Sequence, residues 1–101
     1  MINVLASVRV KRGKLSEFLE MVKSNVPRVK KEKGCIEYFP AVDIQADLPP
    51  QTLDADVVTI IEKWESLDAL RGHLASPNMR DQQEREKDIV EEVGIKVLQE
   101  A

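Results

Sequence analysis

His73 is the only imidazole in this chain and Trp64 the only indole, and both lie within the stretch Ile61–Pro77. A strand-like run ends in Trp64, Ser66 follows as a helix cap, and a short amphipathic helix then presents His73. One sharp corner therefore brings an aromatic wall and an acid–base group to a single place. Imidazole is the side chain whose ordinary titration falls near neutral pH, so His73 is the leading candidate for a general base on a phenol or an activated C–H bond. The alternative reading is a half-buried helix residue making one hydrogen bond.

The other candidates are weaker. Trp64 shares a strand face with Glu62 by alternation, and it either stacks on an aromatic ligand or closes the end of a core. Glu62, if buried, requires a Lys, an Arg or backbone N–H partners, and a structural ion pair is the expectation. Tyr38 packs its ring and either hydrogen-bonds its hydroxyl within the fold or touches a ligand. Ser7 is a candidate polar contact from the first strand. Arg80, at the start of a polar segment, either pairs with an anionic ligand or faces water.

Cys35 directly follows Gly34, but a nucleophilic thiol needs a neighbouring base or a positive surrounding. A small residue packed at the start of a strand is the expected role. One His and one Cys supply too few soft ligands for a metal site, and the acidic residues lack metal-loop spacing. The four glycines lie too far apart for a phosphate loop.

These side chains need elements to hold them. Ile2, Val4, Ala6, Val8 and Val10 alternate with Asn3, Leu5, Ser7 and Arg9, which predicts a strand with one strongly apolar face. Leu15, Phe18, Leu19, Val22, Val26 and Val29 follow helical spacing, so a helix is expected to about Lys33, stopped by Gly34 and kinked or split at Pro27. Cys35–Ile44 reads as a second strand, with Pro40 suiting an edge or bulge. Gln45–Ala55, with Pro49-Pro50, is a loop. Asp56–Glu65 is a third strand, apolar on both faces at Val57, Val58, Ile60 and Ile61, as a central strand should be.

Ser66 caps the next helix, with Asp68 in its first turn. Leu67, Leu70 and Leu74 form its expected buried stripe, placing His73 about 90° from the middle of that stripe. Ser76-Pro77-Asn78 breaks the helix, and a very polar helix follows from Met79 to about Asp88. Val93, Ile95 and Val97 then alternate in a final strand.

The order β-α-β-β-α-β is the split arrangement of ferredoxin-like folds. It implies one α+β domain over residues 1–101: a four-stranded antiparallel sheet with helices on one face. Leu5 and the two apolar faces of the third strand leave the other sheet face partly hydrophobic, and such a patch predicts a homodimer whose sheets pack face to face.

Composition narrows the class further. The 101 residues form one domain-sized chain, with 33% charged residues and a net charge of −3. The densest basic cluster, Lys30, Lys31 and Lys33, is interrupted by Glu32 and contains no aromatic residue. It reads as a solvated helix end and argues against a nucleic-acid partner. No apolar run approaches the roughly 18 residues that span a bilayer, and the N-terminus reads as a strand rather than a signal peptide. A lone Cys suggests a reducing compartment, so a soluble cytoplasmic protein is expected.

Three segments taken together resemble the antibiotic biosynthesis monooxygenase family of small dimeric α+β-barrel proteins. They are Gly13-Lys14 with Glu17-Phe18-Leu19; Lys33-Gly34-Cys35-Ile36-Glu37-Tyr38; and Glu62-Lys63-Trp64 with Ala69-Leu70, His73 and Ser76-Pro77. The likeness spans nearly the whole chain in the right order. It implies a dimeric α+β barrel and a cofactor-independent monooxygenase acting on a small electron-rich aromatic such as a quinol, polyphenol or anthrone. Isomerisation of a small metabolite, or ligand binding without catalysis, are the competing roles on the same fold.

The chain departs from the family pattern in places. The Gln45–Ala55 loop is longer than is typical, Pro27 is unexpected, and Met79 stands where an aromatic residue is often found. The haem-degrading branch carries an Asn, a Trp and a His where this chain has Ala6 or Ser7, His73 and about Gln83. That disfavours haem degradation.

Overall fold

The alternating segment Ile2–Val10 is strand β1, and its five odd-one-out apolar residues, Ile2, Val4, Ala6, Val8 and Val10, are all buried. The computed structural model describes residues 1–101. After β1 come helix α1 (Leu15–Lys30), strands β2 (Cys35–Val42) and β3 (Val57–Trp64), helices α2 (Leu67–Leu74) and α3 (Pro77–Glu86), and strand β4 (Val90–Leu98). The sheet order is β2-β3-β1-β4 with every neighbouring pair antiparallel. This is the expected ferredoxin-like arrangement, with the helices on one face.

The core lies between that face and α1. Phe18, Val22 and Val29 of α1 meet Val4, Val8, Val58, Ile60 and Trp64 of the sheet. Full burial of one such side chain contributes about 1.5–3 kcal/mol. Pro27 neither splits α1 nor ends it; the helix continues to Lys30 with Pro27 exposed on its solvent side. The lost backbone hydrogen bond therefore falls where water can replace it. The α-helix itself stops earlier than Lys33, and Lys31–Gly34 form a tight turn in which Gly34 has φ +81°.

Strand β3 buries only alternate residues. Val58, Ile60, Glu62 and Trp64 face the helices, while Val57 and Ile61 are half-buried on the outer face. The register aligns Leu5 with Ile61 and Ile61 with Phe39. A row of three apolar side chains thus crosses the outer face.

Two sequence expectations need correction at the helices. Ser76 and Pro77 start α3 rather than merely ending α2: Ser76 Oγ accepts from the Met79 N–H, and Pro77 occupies the first helical turn, where its missing donor costs nothing. In α2 the buried residues are Leu70 and His73, whereas Leu67 and Leu74 are 43% and 46% exposed. The helix is rotated by about a sixth of a turn from the leucine stripe. Its cap forms as expected, with Ser66 Oγ accepting from the Ala69 N–H at 3.1 Å.

The polar helix α3 docks through one buried pair. Asn25 of α1 donates from Nδ2 to Gln82 Oε1, and Gln82 Nε2 donates to Glu86 Oε2 at 3.2 Å. A polar segment can pack this way because its buried amide is satisfied.

Candidate active site

Rotation of α2 drives the His73 ring between two aromatic residues. Trp64 stacks on it with centroids 4.7 Å apart and planes at 29°, and Tyr38 meets it edge-on at 5.6 Å. His73 is 2% exposed. Its Nδ1 lies 2.9 Å from Glu32 Oε1. A carboxylate only accepts, so Nδ1 carries the proton and donates to Glu32. The other nitrogen, Nε2, is buried and has no hydrogen-bond partner in the protein. An imidazole held in this tautomer presents a lone pair, which is what a general base requires.

Glu32 reaches across 41 residues of sequence because the Lys31–Gly34 turn lies directly against α2. A Cβ added to Gly34 would sit 2.5 Å from the Cβ of Ala69, so only glycine permits this approach. The Glu65 N–H donates to the Gly34 carbonyl at 2.8 Å, tying the same turn to the end of β3. Glu32, hidden among lysines in the sequence, was missed as a site residue. Its signal was positional, since Val22, Asn25, Val29 and Glu32 continue one helical stripe.

His73 lines a cavity of about 390 Å³ between the sheet and helices α2 and α3. That volume is in the usual range for small-molecule sites. Ala6, Val8, Phe18, Ile60, Val93 and Ile95 supply much of its apolar wall. Tyr38, Glu62 and Glu86 add polar groups. Trp64 does not line the cavity; it backs His73 from behind. Ser7 points to the opposite face of the sheet, beside Arg9, Val57, Glu92 and Gly94, and Arg80 is exposed and outside the lining. Strand alternation separates Ser7 from the site, and α3 turns Arg80 outward. The loop from 45 to 55 contributes nothing to the lining either. It is instead fastened at the sheet, where Arg9 Nη2 meets Asp54 Oδ2 at 2.5 Å.

Glu62 is buried without the expected ion pair. Its Oε1 accepts from Trp64 Nε1 at 2.9 Å. Burial pushes its carboxyl above the usual range, with the indole hydrogen bond and nearby His73 opposing. Burial also raises the Tyr38 phenol, keeping it protonated, and it raises the Cys35 thiol, which suits packing rather than nucleophilic attack.

The Glu62 shift has a sign that can be tested. The native state holds this proton more tightly than the unfolded chain, so stability falls as pH rises from the ordinary carboxyl value of 4.5 through the raised native one. Glu62→Gln keeps an acceptor for Trp64 and removes the buried charge. The variant is expected to melt a few degrees higher than the parent at pH 7, with the gain vanishing below about pH 4. Thermal melts across that pH range check this.

The ferredoxin-like sheet agrees with the family that comparison with known proteins shows. The chain belongs to the antibiotic biosynthesis monooxygenase family, whose family model matches residues 1–85. It is 37% identical over 101 residues to the "Probable quinol monooxygenase YgiN" of Escherichia coli (strain K12), covering 98% of this chain and 97% of that protein. Among solved structures, a conserved protein from Methanosarcina mazei Go1 superposes with a TM-score of 0.83 at 24% identity, covering 99% of this chain and 92% of that one. A protein from Shewanella oneidensis does so with a TM-score of 0.78 at 26% identity, over 96% and 87% of the two chains.

Proposed function

We propose that this chain is a cofactor-independent monooxygenase that oxidises a small electron-rich aromatic, such as a quinol, polyphenol or anthrone, with O₂, using His73 as general base. One observation carries the reading: a buried imidazole on a mostly apolar cavity, with Nδ1 engaged by Glu32 and Nε2 free. The quinol monooxygenase relative supports the substrate class.

In this mechanism Nε2 takes the phenolic or activated C–H proton, and the resulting anion passes one electron to O₂. The substrate radical and superoxide then combine as a C–O bond, and loss of water leaves the oxidised product. For a hydroquinone the balance is quinol plus O₂ giving hydroxyquinone plus water. The substrate supplies all four electrons. The protein desolvates it, orients it and moves the proton, with Glu32 fixing the tautomer and stabilising the imidazolium that forms.

The same reading includes a homodimer formed through the outer sheet face. Leu5 and Phe39 are 37% and 42% exposed there, and with Ile61 they form an apolar row. A reducing, cytoplasmic setting fits the free Cys35.

The direct test is oxygen uptake with hydroquinones and anthrone-like compounds, each against a no-protein control because such compounds autoxidise. Uptake that never exceeds the control would sink the oxygenase reading, and product formation without oxygen would point to isomerisation.

The tautomer can be tested separately. With one His in the chain, its imidazole nitrogen resonances belong to a single residue. The expected spectrum shows Nδ1 protonated and Nε2 bare. Glu32→Gln can donate as well as accept, so it is expected to mix the tautomers and lower turnover by roughly tenfold or more. An unchanged spectrum in the variant would remove Glu32 from this role.

A further inference from the structure

Side-chain donors around the cavity are few, and most are already engaged. The imidazole N–H of His73 is given to Glu32, and the indole N–H of Trp64 to Glu62. Lys87 Nζ meets Glu84 Oε1 at 2.6 Å. Gln83 borders the cavity, but its side chain is exposed and its amide can bond to water. Tyr38, the only tyrosine of the chain, is the exception. It lines the cavity while only 2% exposed, and its ring meets His73 edge-on. Strand register sets it directly opposite Glu62. Charge from Glu62, Glu86 and Glu32 reaches its phenol, yet its hydroxyl makes no hydrogen bond to any of them. A buried hydroxyl is costly to leave unpaired, so a free donor beside a cavity marks a place for a ligand acceptor.

We propose that Tyr38 is a catalytic residue, whose O–H donates to the oxygen of a bound phenol as His73 Nε2 removes that oxygen's proton. The inference rests on reading the cavity as the substrate site and His73 as the base, and it adds a second group to that chemistry. The proton passes from the ligand oxygen to Nε2, and the electron pair stays on the oxygen. Tyr38 donates a hydrogen bond to the resulting anion and keeps its own proton. The two ring centroids are 5.6 Å apart, so base and donor serve one part of the cavity.

Electrostatics gives the reason. An anion formed against a largely apolar wall is stabilised by a donor already in place, which needs no reorganisation as the charge develops. Glu62 and Glu86 border the same cavity and add like charge, which makes that donor more necessary. Burial, with those carboxylates, raises the Tyr38 phenol. A tyrosine held this way remains a donor and does not compete with His73 as a base.

The test reads ionisation rather than oxidation. 4-Nitrophenol is too electron-poor to give an electron to O₂, and its absorbance changes when it ionises. Bound to the full chain under nitrogen, it is expected to ionise about one pH unit lower in the parent than in Tyr38→Phe, a tenfold change in the equilibrium. Tyr38→Phe keeps the ring against His73, and its melting is checked alongside. Because the chain has one tyrosine, 3-fluorotyrosine incorporation labels Tyr38 alone and leaves the side chain in place. Its fluorine resonance should move as the bound probe ionises. Unchanged ionisation in a folded Tyr38→Phe protein, a fluorine resonance indifferent to the probe, or failure of the probe to bind would overturn the proposal. The oxygenase reading is judged apart. Shifted ionisation in a protein that consumes no oxygen would sustain the role of Tyr38 and sink only the oxygen chemistry. Oxygen uptake by Tyr38→Phe at the parental rate, where a loss of about tenfold or more is expected, would keep the oxygenase and remove Tyr38.

Discussion

His73→Ala is expected to lower turnover by about a hundredfold or more, the loss usual when a positioned general base is removed. The substrate would then have to give its proton to water inside a cavity that is largely apolar. The substitution also unstacks Trp64 and leaves Glu32 Oε1 without its donor. A loss of activity could therefore reflect a disturbed fold. His73→Gln, which keeps a planar polar group but no comparable base, is the companion variant. Oxygen uptake should fall by a similar factor in both, with circular dichroism and melting close to the parent in the Gln form. Near-unchanged turnover by a correctly folded variant would remove His73 from the mechanism.

Gly34→Ala carries the largest expected effect on stability. Its φ of +81° disfavours any L side chain, at about 1–2 kcal/mol. Its new methyl would stand 2.5 Å from the Ala69 Cβ, which belongs to helix α2 and cannot swing aside. Forcing the helix away adds roughly 1–3 kcal/mol of overpacking. The sum of about 2–5 kcal/mol should lower the melting temperature by roughly 10–25 °C in a domain of this size. Gly13→Ala is the control. Its φ is +82°, but nothing lies within 4 Å of the added carbon, so only the conformational part should appear. Moving α2 also moves His73 from Glu32, so Gly34→Ala should lose turnover at temperatures where it remains folded. Equal destabilisation by the two substitutions would show that the close approach to Ala69 is unimportant.

Much of the fold was legible because period-2 and period-3.6 patterns report local geometry. Ile2–Val10 alternates strictly, and Ser66 has the side chain that a helix start needs, so β1 and the start of α2 could be placed from sequence. Glu62 and Trp64 could be put on one face for the same reason, although the identity of Glu62's partner could not. An ion pair was expected, but the indole two residues on already satisfies one oxygen. Ser7, read on the face of β1 opposite Ile2, Val4 and Ala6, lies outside the cavity lining, and Arg80 faces water, as the alternative reading had it.

Glu32 shows the complementary limit. Among Lys30, Lys31 and Lys33 it reads as one more solvated charge. Its inward turn depends on where the chain bends after α1 and on what packs there. The rotation of α2 is a case of the same kind. Two helical turns with Leu67, Leu70 and Leu74 suggest one buried face. Yet contact between Gly34 and Ala69, together with stacking on Trp64, selects the face carrying His73.

The sequence by itself determined the strand and helix order, the α+β class, the corner that joins Trp64 to His73 and the presence of a single imidazole. Tertiary structure alone decided that this imidazole is buried, which nitrogen is free, and which carboxylate holds it. The reason is range. Backbone periodicity and capping act over a few residues, whereas the Glu32–His73 contact spans 41 positions and exists only once two separate turns have packed together.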